Sequence, residues 1–346
     1  MIESHQVTIT GVNSPVMIFK ITNSKGYYTE LSSYGASVLS IVIPDREGKP
    51  GDVVLGYPEL ENHIEDGPYM GKTVGRFAGR IANGHFRLNN RNYQLEVNNG
   101  KNHLHGGSHG LAFRNWNTKI IDDLTVCFST TAKSKEDGYP GDADLSVTYT
   151  WTEDNTLSIS YQGIPTEDTI LNLTNHTYFN LSGEPTILQH QLKLYADRYL
   201  PIDTESIPTG RIEPVDGTPM DFRKFAVIGK KMDCSHPQLS IDRGYNQCWV
   251  ISPREPEKLP AVEIHCPENG RILRIFSDYP GAVIYCGNYF DGSIQDKHHL
   301  PLKAYAGIAV EMQYYPDCPN LQQVPSCFIK KGEIYKHKIK YCFEII

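Results

Sequence analysis

In the run Leu145-Ser-Val-Thr-Tyr-Thr-Trp151, large apolar side chains alternate with small polar ones. A period of two marks a strand with one buried face. After Glu153-Asp154-Asn155 the alternation resumes at Leu157-Ser-Ile-Ser-Tyr161, and so short a polar gap suits a hairpin between antiparallel strands. Comparable runs at 16–22, 36–43, 93–97, 170–174, 191–195, 261–266, 271–277, 282–286, 307–313 and 333–343 carry strands along the whole chain. Helical periodicity is nearly absent, because 29 Gly and 22 Pro, together with frequent β-branched residues, leave few windows for three helical turns. Residues 58–63 and 221–228 have room for a turn or two. The pattern predicts an all-β fold.

At 346 residues the length alone is compatible with two domains, yet all-β units commonly exceed ~200 residues. The loop-like segments 133–144, 201–221 and 252–260 have strand patterns on both sides and no shift in composition, so they read as long loops at sheet ends rather than linkers. Lys and Arg number 33 against 40 Asp and Glu, a net charge of −7. With no basic block, this excludes a nucleic-acid or anionic-membrane partner. Lys336, Lys338 and Lys340 alternate with Tyr335, His337 and Ile339, which places the lysines on one solvated strand face. No stretch approaches the ~20 apolar residues of a membrane-spanning helix, and the first residues lack a signal-type apolar core. A cytoplasmic address is the expectation. Eight cysteines without a Cys-x-x-Cys pair read as reduced and mostly buried.

Four polar clusters could carry chemistry. In Asn102-His-Leu-His-Gly-Gly-Ser-His109, an extended backbone would turn His103 and His105 to one face, where they could ligate a metal given a distant carboxylate; otherwise they hydrogen-bond within a Gly-rich turn. Asn172 to Leu181 crowds amides, hydroxyls and His176 into one segment, which is costly to bury unless each group finds a partner or lines a polar cleft. Gly75-Arg76-Phe-Ala-Gly79-Arg80 flanks two arginines with glycines, for ligand hydroxyls or for structural ion pairs. Glu311, after the apolar run 307–310, needs either a cationic partner or a site that uses its charge. The clusters span positions 75 to 317, so only a fold can assemble them.

Taken in order, Gly75-Arg76-Phe77-Ala78, Asn102-His-Leu-His-Gly-Gly107, Thr174-Asn-His-Thr-Tyr-Phe-Asn-Leu181, Tyr285-Cys-Gly-Asn288, and Glu311-Met-Gln313 through Pro316-Asp317 to Asn320 resemble the galactose mutarotase (aldose 1-epimerase) family over nearly the whole chain. The resemblance implies a large antiparallel β-sandwich with a sugar cleft and neither metal nor cofactor. It further implies that Glu311 is general base on the anomeric O1 hydroxyl and His176 general acid on the ring oxygen O5. With ordinary pKa values of about 4.3 and 6.5, the two would start in complementary protonation states. Arg80, His105, Tyr178 and Asp242 would hold the sugar.

Two positions depart from the family pattern, Gly79 where many relatives have Asn and Val283 where some have Gln. These leave the preferred sugar open, whether hexose, pentose or disaccharide. The small-molecule partner is therefore a free sugar, galactose or glucose first, met by a monomer or homodimer. Because positions 176 and 311 must share one cleft, a single domain over residues 1–346 is expected. A non-catalytic carbohydrate-binding sandwich is the alternative, and a metal-dependent β-fold oxidoreductase using His103 and His105 a third.

Overall fold

A computed structural model describes residues 1–346. Two antiparallel sheets form the body. The larger has nine strands, ordered Asn117–Asp122, Thr125–Ala132, Ala143–Trp151, Thr156–Pro165, Tyr335–Ile345, Arg271–Ser277, Val262–His265, Gln191–Leu194 and Ala226–Val227. The smaller has six, ordered Tyr178–Phe179, Ile308–Gln313, Gly281–Tyr285, Asn246–Val250, Arg198–Leu200 and Glu213–Pro214. A five-stranded N-terminal sheet over 2–52 is built from consecutive neighbours and packs Phe19 edge-on to Phe128 of the larger sheet.

The alternation over 145–161 does what its period demands. Ala143–Trp151 pairs with Thr156–Pro165 through Trp151↔Leu157 and Val147↔Tyr161. Val147, Tyr149, Trp151, Leu157, Ile159 and Tyr161 are all fully buried, each contributing roughly 1.5–3 kcal/mol by leaving water. The two sheets close on one another where Phe179 meets Tyr341 edge-on at 5.0 Å. Lys336, Lys338 and Lys340 lie on the outer face of the Tyr335–Ile345 strand while Ile339, Tyr341 and Phe343 point inward.

The sequence reading errs where polar side chains overrule periodicity. Instead of a strand over 170–174 there are two short ladders, Thr169–Ile170 and Thr174–Asn175. Between them Asn172 accepts from Tyr314 N and donates to Ala78 O, so its side chain stitches neighbouring segments together. The 93–97 strand sits earlier, at Arg91–Gln94. α-Helix occurs as the single turn Ile228–Lys231 and the unforeseen Pro237–Ile241, where Pro237 takes a first-turn position that needs no N–H, while the room for a turn at 58–63 is taken by the 3-10 turn Leu60–His63.

The six-stranded sheet is what positions a site. Every residue of Ile308–Gln313 is buried, so both its faces are covered. Ile308, Val310 and Met312 join the main core, and alternation sends Ala309, Glu311 and Gln313 to the opposite face.

Candidate active site

That opposite face floors a cleft of about 350 Å³ lined by, among others, Arg80, His105, His176, Tyr178, Glu311 and Gln313. Register builds the floor, since Cys248 pairs with Val283 and Val283 with Glu311, and Tyr178 pairs with Ala309. Residues 176 and 105 reach it from loops fixed by backbone hydrogen bonds. His176 N donates to Lys72 O at 2.8 Å and its carbonyl accepts from Gly71 N at 3.0 Å. His105 has φ 51°, and the glycine after it, Gly106 (φ 92°), lies against the backbone of Gly75, where a Cβ would fall 1.9 Å from the carbonyl oxygen. Only glycine fits there. His105 N donates to Gly79 O at 3.1 Å and Gly79 N donates to His105 Nδ1 at 3.2 Å, which leaves the imidazole proton on Nε2.

His176 Nε2 stands 3.5 Å from Glu311 Oε1, and His105 Nδ1 4.0 Å from Glu311 Oε2. The rings of His105 and His176 cross edge-on at 5.3 Å, and Tyr69 packs against His105 at 4.8 Å. Neither Glu311 Oε2 nor His176 Nδ1 has a hydrogen-bond partner. On distance alone the Glu311–His176 approach is an ion pair, but both groups are buried, and burial disfavours charge on each. It pushes the Glu311 carboxyl up to about 8 against the pull of the Arg80 guanidinium, and the His176 imidazole down to about 4. Burial, then the neighbouring His176 and Arg80, hold His105 well below its ordinary value. Burial thus works against an ionised glutamate beside a ready imidazolium and favours the pair's one proton on the carboxyl.

The remaining expected residues are distributed as follows. Arg80 lines the cleft and donates from Nε to Asn99 Oδ1 at 3.0 Å. Tyr178 packs at a tilt against His176, ring centres 4.9 Å apart, and donates to Pro68 O at 3.2 Å. Asp242 lies behind the wall, accepting from Ser206 Oγ at 2.9 Å, Asn246 Nδ2 at 2.9 Å and Tyr289 OH at 3.1 Å; these three partners face the cleft in its place. Gly79 and Val283 both line it. Arg76 is a structural residue, its guanidinium donating to Gly141 O, Pro140 O and Thr169 Oγ1.

The His103–His105 metal reading does not survive the geometry. The left-handed backbone at His105 breaks the extended run, so His103 turns away, with Nδ1 at 2.7 Å from Glu96 O and Nε2 at 2.6 Å from Tyr139 OH. The grouping that does form is His105, His176 and Glu311, whose ligand-type atoms lie within 4.8 Å of one another. Two imidazoles and a carboxylate could hold a divalent ion, although Gly79 N–H already occupies the Nδ1 lone pair of His105. Sequence reasoning missed Gln313 and Tyr69 as cleft residues. For Gln313 the signal was present, two residues beyond Glu311 on a strand; for the loop residue Tyr69 there was none.

Fold and cleft together define a β-sandwich protein that presents buried acid/base groups to a small polar ligand. Residues 17–342 match the sequence model of the aldose 1-epimerase family. The galactose mutarotase of Sus scrofa is 35% identical over 318 residues, 91% of each chain, and the aldose 1-epimerase of Escherichia coli K12 is 30% identical over 332 residues, 95% of each. An aldose epimerase homologue from C. elegans superposes with a TM-score of 0.89 at 31% identity, covering 99% of this chain and 100% of that one. A galactose 1-epimerase from Lactobacillus acidophilus NCFM gives 0.89 at 26%, covering 100% and 99%. The chain belongs to the aldose 1-epimerase family, and its sandwich is of the galactose mutarotase type.

Proposed function

We propose that Glu311 and His176 are the base and acid with which this aldose 1-epimerase interconverts the α and β anomers of a free aldohexose, galactose or glucose first, within one β unit spanning residues 1–346. The observation that carries the reading is the buried carboxyl–imidazole pair, 3.5 Å apart, with an unpartnered atom on each side chain. Ring opening needs Glu311 to take the O1 proton while His176 gives one to O5; the C1–O5 bond then breaks to the open-chain aldehyde. Rotation about C1–C2 presents the other carbonyl face, and closure reverses both transfers, so no proton is consumed. The distribution that burial favours, with the proton on Glu311, matches the open-chain stage. Sugar hydroxyls donating to the carboxylate, with Arg80 beside it, favour the ionised form that opening requires. The two distributions differ by one proton moved across the pair, and positioned acid and base groups each contribute ~10²–10⁴-fold.

Arg80, His105 and Tyr178 hold hydroxyls directly, and Asp242 acts through Ser206, Asn246 and Tyr289. Galactose is the sugar in the names of the relatives from Sus scrofa and Rattus norvegicus. All of these side chains come from one chain, which suits a monomer or a homodimer with independent sites. Eight free cysteines, five of them buried, fit work in the reducing cytoplasm. No helix is long and apolar enough to cross a membrane. Polarimetry of freshly dissolved α-anomers across a panel of sugars, with and without chelator, tests the reading. Acceleration for an aldohexose that is indifferent to chelator is expected; saturable binding without acceleration would replace it with a sugar-binding protein.

A further inference from the structure

We infer that Gln313 is a substrate-positioning residue that reads an adjacent pair of sugar hydroxyls across the ring from the anomeric carbon. The inference rests on the aldose 1-epimerase reading above. Gln313 is fully buried and lines the cleft, yet neither its Oε1 nor its Nε2 has a partner. Other buried amides in the molecule are tied to backbone groups: Asn172 donates to Ala78 O, Asn175 to Gly71 O, Asn180 to Ala306 O and Gln247 to Gln238 O, at 2.8–3.0 Å. An amide with both ends unmet inside a protein is costly, so this one is held for something that enters the cleft.

The residue lying against its Nε2 is Gly79. At Gly79, φ is +80° and a Cβ would come 3.1 Å from Gln313 Nε2 and 3.4 Å from Pro316 Cβ. Glycine there keeps any side chain from covering the amide. The nearby Val283 and Pro316 walls are apolar and cannot complete it. A carboxamide presents an acceptor and a donor side by side, matching two neighbouring hydroxyls, one donating to Oε1 and the other accepting from Nε2. Position follows from the strand: two residues at about 3.4 Å each put the Gln313 Cα ~7 Å beyond that of Glu311 on the same face. With O1 at Glu311, that step spans the ring and brings Gln313 to the hydroxyls on C3 and C4. Since galactose and glucose differ in configuration at C4, Gln313 is placed to weigh one against the other.

A chemical double-mutant cycle tests this, crossing wild type and Gln313→Leu with the parent sugar and its 2-, 3-, 4- and 6-deoxy analogues. In wild type, the 3- or 4-deoxy sugar loses roughly tenfold in kcat/KM. Gln313→Leu loses about as much on the parent, chiefly through KM, and nothing further on that analogue. Additive losses at every position would overturn the inference and leave an ordered water as the amide's partner. Gln313→Met, of similar length without the amide, serves if the leucine variant melts early; failure of both to fold would assign the amide a structural role and also overturn it. A wild-type protein that accelerates no parent sugar would sink the parent reading instead, and the same cycle is then read on sugar binding by calorimetry.

Discussion

Two glutamates lie buried on strands of the two facing sheets, Glu263 at 5% exposure and Glu311 at 3%, and the protein treats them oppositely. Glu263 accepts from Tyr195 OH at 2.8 Å, Arg274 Nε at 2.9 Å and Lys193 Nζ at 3.1 Å. Burial pushes its carboxyl up, but those three donors together outweigh it and hold it below the ordinary glutamate range. Glu311 has a neutral imidazole beside it and one oxygen with no partner, and burial wins. A structural carboxylate is completed by its own chain. The cleft carboxyl is left for a ligand to complete.

The largest expected effect separates the two by activity. Glu311→Gln and His176→Asn should each lower kcat by ~10²–10⁴-fold while the fold persists, whereas Glu263→Gln keeps kcat within a few-fold. Polarimetry on folded variants reads this directly. Near-normal anomer exchange by folded Glu311→Gln, or its abolition by folded Glu263→Gln, would erase the contrast.

Next in size is the pH dependence. The pair works with one proton in total. Below about 4 His176 takes up a second, and above about 8 Glu311 loses the only one. The kcat/KM profile should therefore be a plateau that falls away at about 4 and about 8, with both limbs unmoved by Glu263→Gln. A basic limb near the ordinary imidazole value of ~6.5 would mean that His176 titrates freely, and would break the proposed proton inventory.

Stability should move in opposite directions. Glu263→Gln strips charged hydrogen bonds and should cost roughly 1–3 kcal/mol. For Glu311 the folded pKa lies above the unfolded one, so between about 4.3 and 8 the unfolded chain ionises while the native carboxyl stays neutral. The Glu311 contribution to stability thus falls across that window as pH rises. Glu311→Gln removes the penalty, and its melting temperature should gain on wild type at pH 8 more than at pH 5. An equal difference at both pH values would count against a raised Glu311 pKa.

This contrast bears on what could be read from the sequence. Period two was legible wherever one face is apolar, as at Ala143–Trp151 and Tyr335–Ile345, because burial and alternation there say the same thing. It failed over 170–174, where Asn172 makes only an isolated bridge to Phe77 and its side chain bonds to Ala78 and Tyr314. The family resemblance drew attention to Glu311, His176, Arg80, His105, Tyr178 and Asp242, and all but Asp242 line one cleft. What no local pattern could convey was their electrostatics. Two of the three donors to Glu263, Lys193 and Tyr195, lie about 70 positions away in sequence, so two glutamates on similar apolar strands look alike until the chain is folded.

Arg80 offers the smallest effect and the finest division of that contrast. It is the cation that pulls the Glu311 pKa down against burial, as the cations beside Glu263 do with more success. Removing its charge in Arg80→Met should let the Glu311 carboxyl rise further, so the proton is lost at higher pH and the basic limb moves above 8. Arg80→Lys keeps the charge but loses the planar fork, so the limb should stay near 8 while KM for the sugar rises. Limbs that move equally in both variants would show that the fork's hydrogen-bonding geometry, not its charge, is what Glu311 senses. Limbs that move in neither would leave burial alone in control of the base.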